Sequence, residues 1–307
     1  MPDVKEILSR YESDTPGVKA NLYRFLSTGR LSDTGRMIFL PVDQGFEHGP
    51  VRSFATNEAA YDPHYHFQLA IDAGLSGFAA PLGMIEAGAD TFAGRIPTIL
   101  KLNNANMMIP SGARKDQAVT ASVRDAIRLG CSGVGLTIYP GASAALDLLE
   151  EARELISEAK SLGLPSFVWS YPREGDLTKE CETAIDVAAY ATQMAALIGA
   201  HVIKVKLPSE HVSQADVKRL YAETGKDLSK PADRVSHIVQ SALGGRRLVI
   251  FSGGDKKEAG SVFDDALAIA KGGGNGSIIG RNAFKRERGE AIDMLDRITN
   301  IYLDAHA

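Results

Sequence analysis

Two cysteines, Cys131 and Cys181, are all that this chain of 307 residues contains. Neither belongs to a close pair, so a disulfide framework and a Cys-based metal or redox motif are both excluded. Excess charge of one sign is also missing. Thirty-four Lys and Arg stand against 38 Asp and Glu, a net of −4, which leaves no basic footprint for nucleic acid. Long hydrophobic runs are lacking: the best stretch, 184–203, is broken by Asp186, Gln193 and His201 and cannot serve as a membrane span. The opening Pro2-Asp3-Val4-Lys5-Glu6 lacks the charged-then-apolar layout of a secretion signal, so a soluble, cytoplasmic protein is expected. Low-complexity tracts and short repeats are absent as well. What remains is an ordinary globular composition, 44% hydrophobic and 23% charged, with a core of substantial size.

Short apolar runs alternate with amphipathic segments from residue 37 onward. The runs cover 37–43, 77–82, 98–103, 133–139, 166–171, 200–207, 247–252 and 276–281. Most are continuously apolar, as parallel strands covered on both faces are. Between them Val119, Val123, Ala126 and Ile127 read as one helix face, and Ala145, Leu148, Leu149, Ala152 and Ile156 as another. Leu129-Gly130, Leu162-Gly163 and Ile198-Gly199 read as helix ends. Strands followed by helices in this number predict an α/β (β/α)₈ TIM barrel, with a doubly wound open sheet as the rival. Residues 1–36 form a helical N-terminal extension on this reading, and 1–307 is one domain.

The sixth run, His201-Val-Ile-Lys-Val-Lys-Leu-Pro208, sets two lysines in a buried strand. Alternation puts Lys204 and Lys206 on one face and Ile203, Val205 and Leu207 on the other. A buried amine is costly unless it is paired or loses its proton, and two neighbouring amines disfavour each other's charge. A neutral lysine in an apolar wall is the nucleophile that forms Schiff bases with carbonyls; a structural salt bridge at the strand end is the plainer alternative.

Barrel sites lie at the C-terminal ends of the strands. There the first run ends in Asp43, a candidate acid–base group or else a turn cap. The third carries Lys101 and Asn103 on one face. The fifth places Trp169 and Tyr171 on one face beside Arg173, whose planar fork suits phosphate. The seventh leads into Ser252-Gly253-Gly254-Asp255-Lys256 and the eighth into Gly280-Arg281-Asn282. Glycine loops after strands seven and eight are a recurrent phosphate cradle of this fold. His64-Tyr65-His66, with His48, would allow a zinc site, but no convincing third ligand accompanies it.

Together these blocks resemble the archaeal-type class I fructose-1,6-bisphosphate aldolases, a Schiff-base barrel family. The resemblance runs in order through Val42-Asp-Gln-Gly-Phe-Glu-His-Gly-Pro50, Ile99-Leu-Lys-Leu-Asn103 and Val134-Gly-Leu-Thr-Ile-Tyr-Pro-Gly141. It continues through Val168-Trp-Ser-Tyr-Pro-Arg173, Val202-Ile-Lys-Val-Lys206, Ser252-Gly-Gly254 and Ile279-Gly-Arg-Asn282. It implies Lys204 as the Schiff-base lysine, Tyr171 as the proton-moving tyrosine and Asp43 as the strand-one acid. It further implies substrate contacts from Trp169, Arg173, Lys101 and Lys206, and phosphate binding by Ser252, Gly253, Gly254, Gly280 and Arg281. No metal or other cofactor is implied; a phosphorylated sugar is the expected partner and a homo-oligomer the expected assembly.

Two departures bear on substrate. Gln44 replaces the histidine usual after the aspartate, and Glu174-Gly175-Asp176 follows Arg173 in place of a glycine pair. An extra acid near the rim weakens the attraction for a second phosphate. The alternatives are a Schiff-base aldolase for another sugar phosphate, of the type serving aromatic amino-acid precursors, a phosphosugar isomerase using Asp43 without a covalent step, or a phosphosugar-binding protein.

Overall fold

The computed structural model describes residues 2–110, 113–173, 177–252 and 259–305. Its centre is a closed barrel of eight parallel strands: β1 (Met37–Pro41), β2 (Gly77–Pro81), β3 (Thr98–Lys101), β4 (Gly133–Ile138), β5 (Ser166–Ser170), β6 (Val202–Lys206), β7 (Leu248–Ser252) and β8 (Gly276–Ile278). Neighbours follow chain order and β8 closes onto β1, through pairs such as Met37 with Gly276. The open-sheet rival is thereby excluded. All eight apolar runs became strands, though each strand is shorter than its run. The surplus residues at the C-terminal ends leave the barrel ladder: Asp43 and Tyr171 enter the site loops, and Asn103 joins Val119 in a short antiparallel pair.

Burial divides the apolar residues into two clusters. One joins outward strand residues such as Leu100, Leu136, Ile203 and Val205 to the surrounding helices. The other fills the barrel with Phe39, Ile99, Phe167, Trp169, Val202 and Ile250. The N-terminal extension belongs to this inner cluster. Helix α1 (Val4–Ser9) is capped by Asp3 and α2 (Pro16–Leu26) by Thr15, each side chain accepting a backbone N–H of the first turn. Phe25 of α2 packs edge-on against Phe39 and Phe167, with centroids 5.6 and 5.0 Å away. Tyr11 donates its hydroxyl to the His201 carbonyl at 2.7 Å. The extension therefore plugs the N-terminal mouth of the barrel, which leaves the opposite mouth as the open end.

One predicted helix face needs correction. Val119 lies in a short antiparallel pair and is exposed, the helix begins only at Val123, and Ile127 faces solvent; Val123 and Ala126 alone are buried. Ser122 and Asp125 form a reciprocal capping box that fixes this later start. On the helix Ala145–Ser161 the predicted stripe holds, with Leu148, Ala152 and Ile156 buried and Ala145 and Leu149 half-buried. Gly130, Gly163 and Gly199 follow their helices with φ of +66°, +81° and +99°, the left-handed stop that glycine allows.

Candidate active site

A cavity of about 820 Å³ opens at the C-terminal ends of the strands. Asp43, Trp169, Tyr171, Arg173, Lys204, Lys206, Ser252, Gly280 and Arg281 all line it, so residues from five separate runs converge on one space. Gly253 and Gly254, together with Glu174-Gly175-Asp176, lie outside the described residues.

Lys204 projects into the barrel from the middle of β6, beside Trp169 in the neighbouring strand. Its Nζ stands 4.9 Å from the Trp169 ring centroid and 5.4 Å from that of Tyr171. Among the described residues no hydrogen bond or ion pair reaches this amine, so the strand-end salt bridge considered for it does not form. Burial pushes its pKa down to about 8; the Asp43 and Glu47 carboxylates act against that and the Arg281 guanidinium with it. The expected cause was partly different. Lys206 lies at the rim, where it pairs with Glu182 at 3.2 Å, and is not among the charges that act on Lys204. The cation that does weigh against its charge is Arg281; Lys101 is instead a group on which Lys204 acts, its own pKa being lowered to about 8 by burial and, to a smaller extent, by Lys204.

Lys101 occupies the barrel interior and not the cavity wall. It is 1% exposed and donates to the Asn103 carbonyl and to Asn103 Oδ1. Asn103 in turn bonds Thr137 through both its side-chain atoms. Its charge nevertheless acts on Glu47, which lines the cavity.

Asp43 sits at the head of the short helix α3 (Gln44–His48), yet its side chain makes no cap hydrogen bond. The turn-cap alternative fails, and the carboxylate is left buried against the cavity. One turn further, Glu47 reaches the same space. Burial and the Asp43 charge raise its pKa to about 7 against the pull of Lys101, Lys204 and Arg173. Sequence reasoning passed over Glu47 as a site residue; four positions after Asp43 on a helix, it lies on the same face. Tyr139, just beyond β4, was missed too. It lines the cavity, and burial raises its phenol pKa.

Tyr171 is held by Ser252, which hydrogen-bonds its hydroxyl, while burial raises its pKa so that the phenol keeps its proton. Gln44 Oε1 and Trp169 Nε1 are buried without a hydrogen-bond partner among the described residues, and both side chains line the cavity. A polyhydroxylated molecule would bring an acceptor and a donor to them. Gly280 can be nothing larger, since a Cβ there would come within 2.8 Å of the Pro41 carbonyl oxygen. That contact sets the next residue, Arg281, at the cavity edge.

The two histidines of the H-x-H segment are used separately. His64 Nε2 bonds the Ala87 carbonyl and His66 Nε2 that of Ala60, the latter inside the protein. Among the described residues no three His, Cys, Asp or Glu side chains gather as metal ligands would.

A closed (β/α)₈ barrel with an isolated amine projecting inward from β6, flanked by a protonated phenol and two carboxyls, is the arrangement of an imine-forming aldolase. The family described as "DeoC/LacD family aldolase" matches residues 37–286, and the chain belongs to it. A protein of Chlamydia trachomatis named "Probable fructose-bisphosphate aldolase class 1" is 32% identical over 94% of this chain and 85% of its own. The fructose-bisphosphate aldolase class 1 of Thermoproteus tenax is 32% identical over 82% of this chain and 84% of its own. Among solved structures, an archaeal fructose-1,6-bisphosphate aldolase with its catalytic lysine bound to the carbinolamine intermediate is 30% identical. It superposes with a TM-score of 0.75, covering 92% of this chain and 99% of that one.

Proposed function

We infer that this protein is a class I aldolase that reversibly cleaves fructose 1,6-bisphosphate to dihydroxyacetone phosphate and glyceraldehyde 3-phosphate. The observation that carries the reading is the unpaired, buried amine of Lys204 facing the cavity. With its pKa near 8, about 9% of the amine is uncharged at pH 7, some 300-fold more than for an ordinary lysine.

The neutral amine attacks the C2 carbonyl, and loss of water from the carbinolamine leaves an iminium. The C4 hydroxyl gives its proton to a carboxylate, Asp43, and the C3–C4 bonding electrons flow into the iminium to make an enamine. Glyceraldehyde 3-phosphate departs. Tyr171, kept protonated by burial and anchored by Ser252, donates to the enamine carbon and regains a proton from Asp43 through water, and hydrolysis of the new iminium frees dihydroxyacetone phosphate and the amine. Ser252, Gly280 and Arg281, with the glycines that follow Ser252, hold the C1 phosphate and so fix the carbonyl beside Lys204.

The indole face of Trp169 forms the wall behind the amine. Exposed Tyr190 and Leu197, two turns apart on the helix Ile185–Leu197, support a homo-oligomer. Among the described residues no helix is long and apolar enough to cross a membrane; a cytoplasmic location fits the substrate. A coupled assay with fructose 1,6-bisphosphate tests the reading. Equal release of both triose phosphates is expected, and turnover confined to interconversion of phosphosugars, without carbon–carbon cleavage, would overturn it.

A further inference from the structure

The geometry points to Glu182 as a specificity-determining residue, a carboxylate built into the cavity that offsets the two cations placed to receive a substrate's second phosphate. This rests on the aldolase reading above and deepens it. Glu182 Oε2 lies 2.7 Å from Arg173 Nη1 and 3.2 Å from Lys206 Nζ. One oxygen thus bridges cations from the ends of two neighbouring strands, and all three side chains line the cavity. The carboxylate is the least exposed of the three, at 15% against 38% for Arg173 and 32% for Lys206.

Its backbone is fixed. Glu182 lies in the single turn Cys181–Thr183, and its N–H bonds the Thr178 carbonyl. The Thr183 carbonyl accepts from both the N–H and the hydroxyl of Ser209, and the Ile185 N–H bonds the His211 carbonyl. These bonds stitch the turn to the loop after β6. Arg173 is likewise tied down, its N–H bonding the Pro140 carbonyl. Neither end can retreat with its backbone, so a phosphate arriving here either displaces the carboxylate side chain or shares the cations with it.

A phosphate monoester carries roughly −1.5 to −2 at pH 7. Glu182 between the two cations takes one unit from the positive charge they offer it. The cations are held in a fork suited to an anion, yet their attraction is reduced. A ketose bearing only the C1 phosphate, with a hydroxyl at its far end, meets no such mismatch, because a hydroxyl can donate to the carboxylate. The site is therefore tuned toward singly phosphorylated ketoses relative to the same site without the acid.

The test is the ratio of kcat/KM for fructose 1,6-bisphosphate to that for fructose 1-phosphate, measured in the wild type, Glu182→Gln and Glu182→Asp. Glu182→Gln keeps the size and one acceptor but removes the charge, and should raise the ratio on the order of five- to tenfold, through KM and not kcat. Glu182→Asp keeps the charge and should leave the ratio near that of the wild type. An unchanged or lower ratio in Glu182→Gln, including a parallel loss on both substrates, overturns the assignment. Wild-type protein that cleaves neither ketose would instead refute the aldolase reading, which separates the two failures.

Discussion

Replacing Lys204 by methionine should abolish cleavage and, at the same time, make the folded protein more stable at neutral pH. The reasoning is a proton linkage. The folded-state pKa of about 8 lies below the ordinary lysine value of 10.5, because burial penalises the ammonium more than Asp43 and Glu47 relieve it. Between those two values the unfolded chain binds more protons than the folded one, so stability rises with pH. Below about pH 8 both states are protonated and the folded protein bears the whole penalty. A shift of this size corresponds to about 3 kcal/mol. Methionine fills similar space against Trp169 without the charge. Part of the gain is lost because Glu47 no longer has that cation beside it. A net gain of about 1–3 kcal/mol at pH 7 is expected from urea unfolding, shrinking by roughly 2 kcal/mol by pH 10 as the folded wild-type amine discharges while the unfolded one stays largely protonated. A variant less stable than wild type at pH 7, with a gap independent of pH, would refute the claim that this amine is held against its ionisation.

Other consequences concern neighbouring groups. The Glu47 carboxylate supports the Lys204 ammonium, so Glu47→Gln should lower the amine's pKa and move the acidic limb of the kcat/KM profile to lower pH; a shift to higher pH would contradict the assigned sign. Tyr171→Phe should retain the fold and imine formation while kcat falls on the order of 10²–10⁴-fold, as loss of a general acid does; full activity would remove Tyr171 from the mechanism. The two thiols should differ sharply. Hydrogen bonds from Ser213 and Thr178 lower the Cys181 pKa to about 7, whereas burial raises that of Cys131 to about 11. Brief alkylation of the native protein near pH 7.5 should therefore modify Cys181 alone, read by peptide mapping, and labelling of Cys131 first would be inconsistent with this structure.

The barrel was legible because parallel strands shielded on both faces are written as unbroken apolar runs, and eight of them survive in the correct order. The direction of Lys204 was equally legible, since side-chain alternation in a strand depends on nothing outside it. What lowers its pKa was not. The sequence pairs Lys204 with Lys206 two positions on, whereas the fold draws Lys206 out to Glu182, buries Lys204 and sets the Arg281 guanidinium against it from the far end of the chain. Glu182 itself left no periodic signal, because it arrives on a loop turn and is defined by partners remote in the chain. Glu47 was concealed differently: its spacing from Asp43 was visible, but its raised pKa arises from burial that only the closed barrel supplies.

The most direct measurement is borohydride reduction of the protein in the presence of dihydroxyacetone phosphate, followed by mass spectrometry of the proteolytic peptides. The account predicts loss of activity together with the mass of one reduced triose phosphate on the β6 peptide, localised to Lys204. Reduction that leaves Lys204 unmodified and the enzyme active would contradict it.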